Sequence, residues 1–310
     1  MGTLAFVLVL NFFLFRILPG DPARIFTRLS RVSPSTIEQV RHELGLDQPM
    51  LQQFVTYLGS TLRGNLGISY HFSRPVSEVI GESVWPTVLL LGAGTIGATV
   101  IGTLIGIYGG WRRGRPADTG TLAFALITYA MPEFWLGMLL LLLFSVALGL
   151  FPTSFMVTPG ATGGGLLMTA VDVISHLMLP ALTLVLALLG EYALIMRSSV
   201  IEVMNEDYVT TARAKGMRDA IVLRKHVVPN ALLPVVTLAA LNLGFIVSGA
   251  ITVETVFSWP GLGLLTYTAI NANDFPLLQG LFLLFSAAVI FANLAADLLL
   301  GTLDPRVGRA

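Results

Sequence analysis

The chain has 310 residues, of which 55% are hydrophobic and 12% charged, and its 18 basic and 18 acidic side chains balance to zero. A soluble domain carries about twice that charge fraction, so an ordinary water-soluble fold is excluded, and a neutral chain has no general attraction to nucleic acid. With no cysteine, disulfide frameworks, thiolate metal sites and cysteine nucleophiles are excluded as well.

In chain order, six apolar blocks qualify as bilayer-spanning helices, which need about 20 residues each. The first is Thr3 to Leu18, stopped by Pro19-Gly20-Asp21-Pro22; it has no small-x-small cleavage site after it and reads as a retained helix. A long polar segment, 19–85, follows. Within it Ser33-Pro34-Ser35 opens a helix with Ile37, Val40 and Leu44 on one face, ended by Gly45 and Pro49, and a second short helix runs from Leu51 to Leu62. This segment reads as a small extracytoplasmic cap. The second span is Thr87 to Tyr108, with Gly92, Gly94, Gly97, Gly102 and Gly106 at spacings that let membrane helices approach closely. The third is Thr121 to Leu148, broken by Pro132, and the fourth Leu177 to Met196. Between them, Pro152 to Ser175 is a glycine-rich loop. The fifth span is Ala231 to Val256 and the sixth Leu277 to Leu303. Residues 86–310 form the core, including a polar segment at 202–229.

Cationic residues set the orientation. Arg112, Arg113 and Arg115 lie between spans two and three; Arg197, Arg213, Lys215, Arg218, Arg224 and Lys225 lie between spans four and five. The connections after spans three and five hold no Lys or Arg. Short basic loops stay in the cytoplasm, so both termini of this multi-pass membrane protein are expected there.

The informative stretch is Asp207-Tyr208-Val209-Thr210-Thr211-Ala212-Arg213-Ala214-Lys215-Gly216, then Met217 to Val228, then Pro229. It predicts two short amphipathic helices with a glycine corner at Gly216 and an end at Pro229. Such a projection suits docking into a groove on a cytoplasmic partner.

This stretch resembles the cytoplasmic coupling loop of ABC importer permeases, with Thr210-Thr211-Ala212 at the Glu-Ala-Ala triplet, Gly216 at the glycine and His226-Val227-Val228-Pro229 at the end. It is nearly identical to the peptide-importer version, Asp-Tyr-Val-x-Thr-Ala-Arg-Ala-Lys-Gly. Further matches are Leu18 to Pro22, Leu44 to Pro49, Gly64-Asn65-Leu66-Gly67-Ile68-Ser69, Phe134 to Gly137, Val253 to Gly263 and Leu303 to Arg306. Together they resemble the first permease subunit of dipeptide and oligopeptide importers, a branch shared with nickel and glutathione importers. Asn65 replaces an acid of the family pattern, and no basic stretch precedes span one.

The resemblance implies an all-α fold of six transmembrane helices with cytoplasmic coupling helices. It also implies a second homologous permease subunit, two cytoplasmic ATPase subunits that bind ATP and Mg, an extracytoplasmic peptide-binding protein, and surrounding lipid. The residues it assigns to ATPase coupling are Asp207, Tyr208, Thr211, Ala212, Arg213, Ala214, Lys215, Gly216, Arg224, His226 and Pro229. The chain itself lacks a P-loop: Lys215 precedes Gly216 and Lys225 precedes His226, where that motif requires Ser or Thr.

Ionisable residues in spans are costly and mark function or internal pairing. Glu133 and Glu191 therefore either face the pathway or pair with an arginine, for Glu191 most simply Arg197. Glu254 either lines an outer gate or caps a bent segment, and Trp259 of the same run is a gate candidate. Asp297 and Asn293 suit a helix–helix polar contact, and Arg16 suits snorkelling to the interface. His42-Glu43 lacks the second histidine of a zinc protease motif, and Gly261-Leu262-Gly263 is too short for a nucleotide fingerprint. No nucleophile, base or metal constellation supports a membrane enzyme. An ion-driven secondary transporter would show internal repeats, and none is found. The walls of the pathway are expected in spans three, four and five.

Overall fold

A computed structural model describes residues 2–17, 47–160, 165–245 and 250–303. The helix expected from Ser33-Pro34-Ser35, the Leu18–Pro22 match and residues 304–306 of the last match lie outside the described residues, as do the side chains of Arg16 and Asp297.

The described residues fold almost entirely into helices. The order is α1 Gly2–Ile17, α2 Met50–Leu62, α3 Val76–Trp111, α4 Pro116–Ala130, α5 Glu133–Leu140, α6 Leu166–Met204, α7 Asp207–Ala214, α8 Asp219–Val222, α9 Val228–Ala231, α10 Leu233–Phe245, α11 Ile251–Val256, α12 Leu262–Ala272 and α13 Phe275–Leu303. Two π-helical stretches join neighbours, Leu141–Ala147 after α5 and Leu223–Val227 between α8 and α9. By length and hydropathy α3, α6, α13 and the run Asp219–Ala240 can each cross a bilayer, α4 with α5 forms a bent fifth, and α1 is a shorter apolar helix.

Three features differ from those the hydropathy predicts. Spans two and four lie within helices of 36 and 39 residues, which run on past the apolar blocks at both ends. Span three turns by 100° between α4 and α5. The cause is Pro132, which lacks an amide donor and holds Met131 extended, at φ −80° and ψ 131°. The helix end expected at Pro229 is also absent: this proline sits in the first turn of α9, and the helical run continues through it into span five. The π turn just before it supplies the slack that a proline ring needs, and Asn230 Nδ2 donates to the His226 carbonyl at 2.8 Å.

The centre of the fold is the pair α3 and α6, which touch through glycine. A Cβ at Gly94 would lie 2.6 Å from Leu184 Cβ, one at Gly102 2.6 Å from the Leu189 carbonyl, and one at Gly106 2.6 Å from the Ala193 carbonyl. Gly110 meets Val200 and the Arg197 carbonyl in the same way. Gly92, also expected to serve packing, has open space around it. Gly190 of α6 does for α4 what these residues do for α3, lying against the Ala125 carbonyl.

Ion pairs and hydrogen bonds complete the frame. Arg197 of α6 grips Asp118 of α4 with two bonds, at 2.6 and 3.0 Å, while the Gly114 amide donates to the same carboxylate. Away from this end, the buried Asp274 accepts from Ser69 Oγ at 2.5 Å and from the amides of His71 and Leu277. That fastens the Gly64–Ser69 element to the start of α13. Asn11 of α1 donates to the Tyr57 hydroxyl and to the Gln279 carbonyl, tying α1 to α2 and α13.

The glycine contacts make a paired prediction. Gly106→Ala should destabilise the purified protein by about 1–3 kcal/mol through overpacking, whereas Gly92→Ala should be neutral or slightly stabilising. Thermal unfolding in detergent checks both; equal melting temperatures would contradict the packing.

Candidate functional site

The segment from Glu206 to Pro229 is built as two short helices around a tight corner. Helix α7 turns Val209 and Ala212, three residues apart, into the interior; both join Val222 and Val227 in a cluster with Tyr192, Met196 and Val200 of α6. It ends in a Schellman motif, in which the Gly216 amide donates to the Arg213 carbonyl at 2.9 Å and the Met217 amide to the Ala212 carbonyl at 3.4 Å. Gly216 has φ +76° with open space where a Cβ would sit, so the position demands glycine for its backbone and leaves its surroundings free. Arg218 is extended and α8 starts at Asp219.

Of the residues predicted for coupling, Asp207, Tyr208, Thr211, Arg213, Ala214, Lys215, Gly216, Arg224 and Pro229 are exposed, and His226 is half-buried. Ala212 faces inward, so its part is packing. The small side chain is what lets α7 lie close to α6. Desolvation, with the Glu206 carboxylate acting in the same direction, raises the Tyr208 phenol above its usual range. Arg213 spans the corner, with Nε 3.7 Å from Asp219 Oδ1 and its guanidinium 5.5 Å from the centre of the Trp111 ring at the end of α3.

The acidic candidates separate. Glu254 is fully buried and accepts from Thr87 Oγ1 at 2.9 Å and from the amides of Gly263 and Leu264 at 2.7 and 3.0 Å. It therefore caps the start of α12, where unpaired amides and the helix dipole favour a carboxylate. Thr87 in turn accepts from the Leu262 amide at 2.7 Å, and the buried Trp259 donates from Nε1 to the Pro86 carbonyl at 2.9 Å. A Cβ on Gly261 would overlap Glu254 and Thr87. The Val253–Gly263 run is thus a compact plug on α3, with Glu254 capping the start of α12 inside it.

Glu133 opens α5 and accepts from Thr252 Oγ1 at 3.2 Å; its partner is this hydroxyl and not an arginine. Glu191 does not pair with Arg197, which Asp118 occupies. Glu191 is half-buried on α6, next to Tyr192, whose hydroxyl accepts from Asn242.

Residues 102–309 match the family described as binding-protein-dependent transport system inner membrane component, and residues 1–91 match its N-terminal companion. The chain belongs to this family. Its relatives include a putative peptide permease protein of Brucella ovis, 39% identical over 99% of this chain and 95% of the relative. A glutathione transport system permease protein of Pectobacterium atrosepticum is 40% identical over 98% and 94%. A di/tripeptide transport system permease protein of Pseudomonas aeruginosa is 38% identical over 97% and 94%. In fold it is similar to a chain of the methionine ABC transporter MetNI in an inward-facing conformation, with a TM-score of 0.54 and 18% identity over 73% of this chain and 96% of that one. This family member is a multi-pass inner-membrane permease component of an ABC importer, a membrane subunit distinct from the ATPase. Membership carries an ATPase and a substrate-binding protein as partners in general terms.

Sequence reasoning missed Thr87, Asp118, Ser69 and Asp274 as polar anchors. A threonine after a proline in an apolar helix gives no signal of its own; Asp118, two residues past Pro116 in a basic turn, gives a weak one.

Thr87→Val should leave Glu254 and the Leu262 amide each short of a partner, at about 1–3 kcal/mol for a buried unsatisfied group. Amide hydrogen exchange over residues 258–264 should accelerate; unchanged protection there would contradict the cap.

Proposed function

We propose that the chain is one of two permease subunits in an ATP-driven importer of short peptides. The observation that carries this reading is the two-sided build of residues 207–218: Val209 and Ala212 are sealed against α6, while Tyr208, Thr211 and Lys215 face outward with no element of the described chain on them. That is the form of a docking surface. The relatives are named for peptides, di/tripeptides and glutathione, which favours short peptides as substrate.

On this reading residues 207–218 sit in a groove of a cytoplasmic ATPase subunit, and two such subunits bind ATP and Mg. The Arg112–Arg115 turn and the docking segment lie at one end, joined by Arg213 over Trp111. Basic loops favour the cytoplasm for that end, and hence for both termini. An extracytoplasmic binding protein delivers peptide on the other side. The chain contributes no catalytic residue. Closure of the ATPases displaces α7, and the packing of Val209 and Val222 on Met196 and Val200 carries that movement into α6. Glu133 and Glu191 are the carboxylates offered to the pathway; Glu254 and Trp259 hold the wall beside it.

Gly216→Trp should insert normally yet lower peptide uptake per ATP by about tenfold or more, because a side chain at φ +76° strains the corner and projects onto the docking face. Uptake into vesicles bearing the assembled complex measures it; uptake equal to wild type would sink the docking assignment. Gentle purification should also bring down a second permease and P-loop subunits, and recovery of this chain alone would contradict the proposal.

A further inference from the structure

Helix α3 has two faces of opposite character. Gly94, Gly102, Gly106 and Gly110 all turn to α6. The reverse face presents a ridge of larger side chains, with Trp85 63%, Ile96 64%, Val100 53%, Leu104 61% and Tyr108 48% exposed. Contacts between membrane helices favour small residues, and on α3 those are spent on the α6 side. The ridge, apart from the gap at Gly92, is bulky. Trp85 and Tyr108 stand roughly 35 Å apart along the helix at about 1.5 Å per residue, which brackets a hydrocarbon layer of about 30 Å with an aromatic residue at each border. Lipid, and not a second protein helix, suits this face.

One turn past Tyr108 the ridge ends in charge. The Arg112 guanidinium lies 4.6 Å over the Tyr108 ring. Arg113 and Arg115 are exposed beside it in a turn made tight by Gly114 at φ +78°. None of the three makes an ion pair among the described residues: Asp118, the nearest acid along the chain, is gripped by Arg197 and attracts Arg113 only at longer range. Three guanidiniums without a paired carboxylate, placed at the border of an apolar ridge, match an anionic phosphate carrying acyl chains. A zwitterionic headgroup adds an ammonium that they would repel.

We propose that this end of α3 is a binding site for an anionic phospholipid. Its phosphate lies on Arg112, Arg113 and Arg115, the Tyr108 hydroxyl reaches the glycerol region, and an acyl chain runs along Leu104 and Val100. The site is independent of the transported substrate and rests only on the chain being a membrane protein.

The test uses the full chain with whatever subunits remain bound, reconstituted in bilayers of phosphatidylcholine with a minor share of phosphatidylglycerol, then released gently for native mass spectrometry. Phosphatidylglycerol should be retained above its share of the bilayer, and Arg112→Gln should reduce that excess about fivefold. Tyr108→Leu, which keeps every charge and removes the ring under Arg112, gives an independent reading and should reduce it too. Inorganic phosphate added before release should not displace the lipid. Retention in proportion to the bilayer, retention unchanged in both variants, or displacement by phosphate alone would each overturn the proposal, the last by reassigning the arginines to a free anion.

Discussion

Everything in this fold hangs on how closely α3 and α6 approach. At Gly102 and Gly106 the backbone of α3 rests directly on carbonyls and Cβ atoms of α6. In a bilayer the apolar surroundings give no hydrophobic drive to pair helices, so dispersion at short range and complementary shape must do it. Two helices of 36 and 39 residues joined in this way behave as one stiff unit. The other elements are arranged by what they fasten to on that unit.

At one end of the unit, Thr87 and the Pro86 carbonyl hold the plug formed by Glu254, Trp259 and the start of α12. At the other, Met196 and Val200 receive α7 and α8, and Trp111 receives Arg213. The same pair of helices therefore touches both the segment read as a docking surface and the buried polar cluster on the far side. A tilt imposed at α7 has a stiff path through α6 and α3 to the plug, since neither end can shift without breaking buried hydrogen bonds or compressing glycine contacts. Asp118 and Arg197 tie α4 to the same unit. By contrast α5 is set at 100° to α4 by the break at Pro132, and its Gly137 packs on Thr183 of α6 and on Phe257.

Much of this was legible in the residues and some was not. The apolar blocks marked the spans, because burial in lipid demands long uninterrupted runs. The Lys215-Gly216 corner was legible because a left-handed backbone selects glycine and the preceding helix needs a stop. The size of the turn at Pro132 was not, since a proline announces a break and leaves its angle to packing. Pro229 misled for a related reason: it reads as a helix stop, yet the first turn of α9 tolerates it. The pairing of polar groups was least legible. Thr87 meets Glu254 across 167 residues and Arg197 meets Asp118 across 79. Only the folded chain chooses between Asp118 and Glu191, which both carry the right charge. The Val253–Gly263 run was visible as a motif, while its role as a helix cap needed Thr87 in place.

The most direct test of the account uses the absence of cysteine in the chain, which allows single cysteines to be placed at will. Thr211→Cys, Lys215→Cys and Val209→Cys would each be expressed with the neighbouring subunits, and the assembled complex treated with a short bifunctional cross-linker. The account predicts that Thr211→Cys and Lys215→Cys join this chain to a P-loop ATPase subunit and that Val209→Cys does not. An assembled complex in which neither exposed position reaches an ATPase would contradict it.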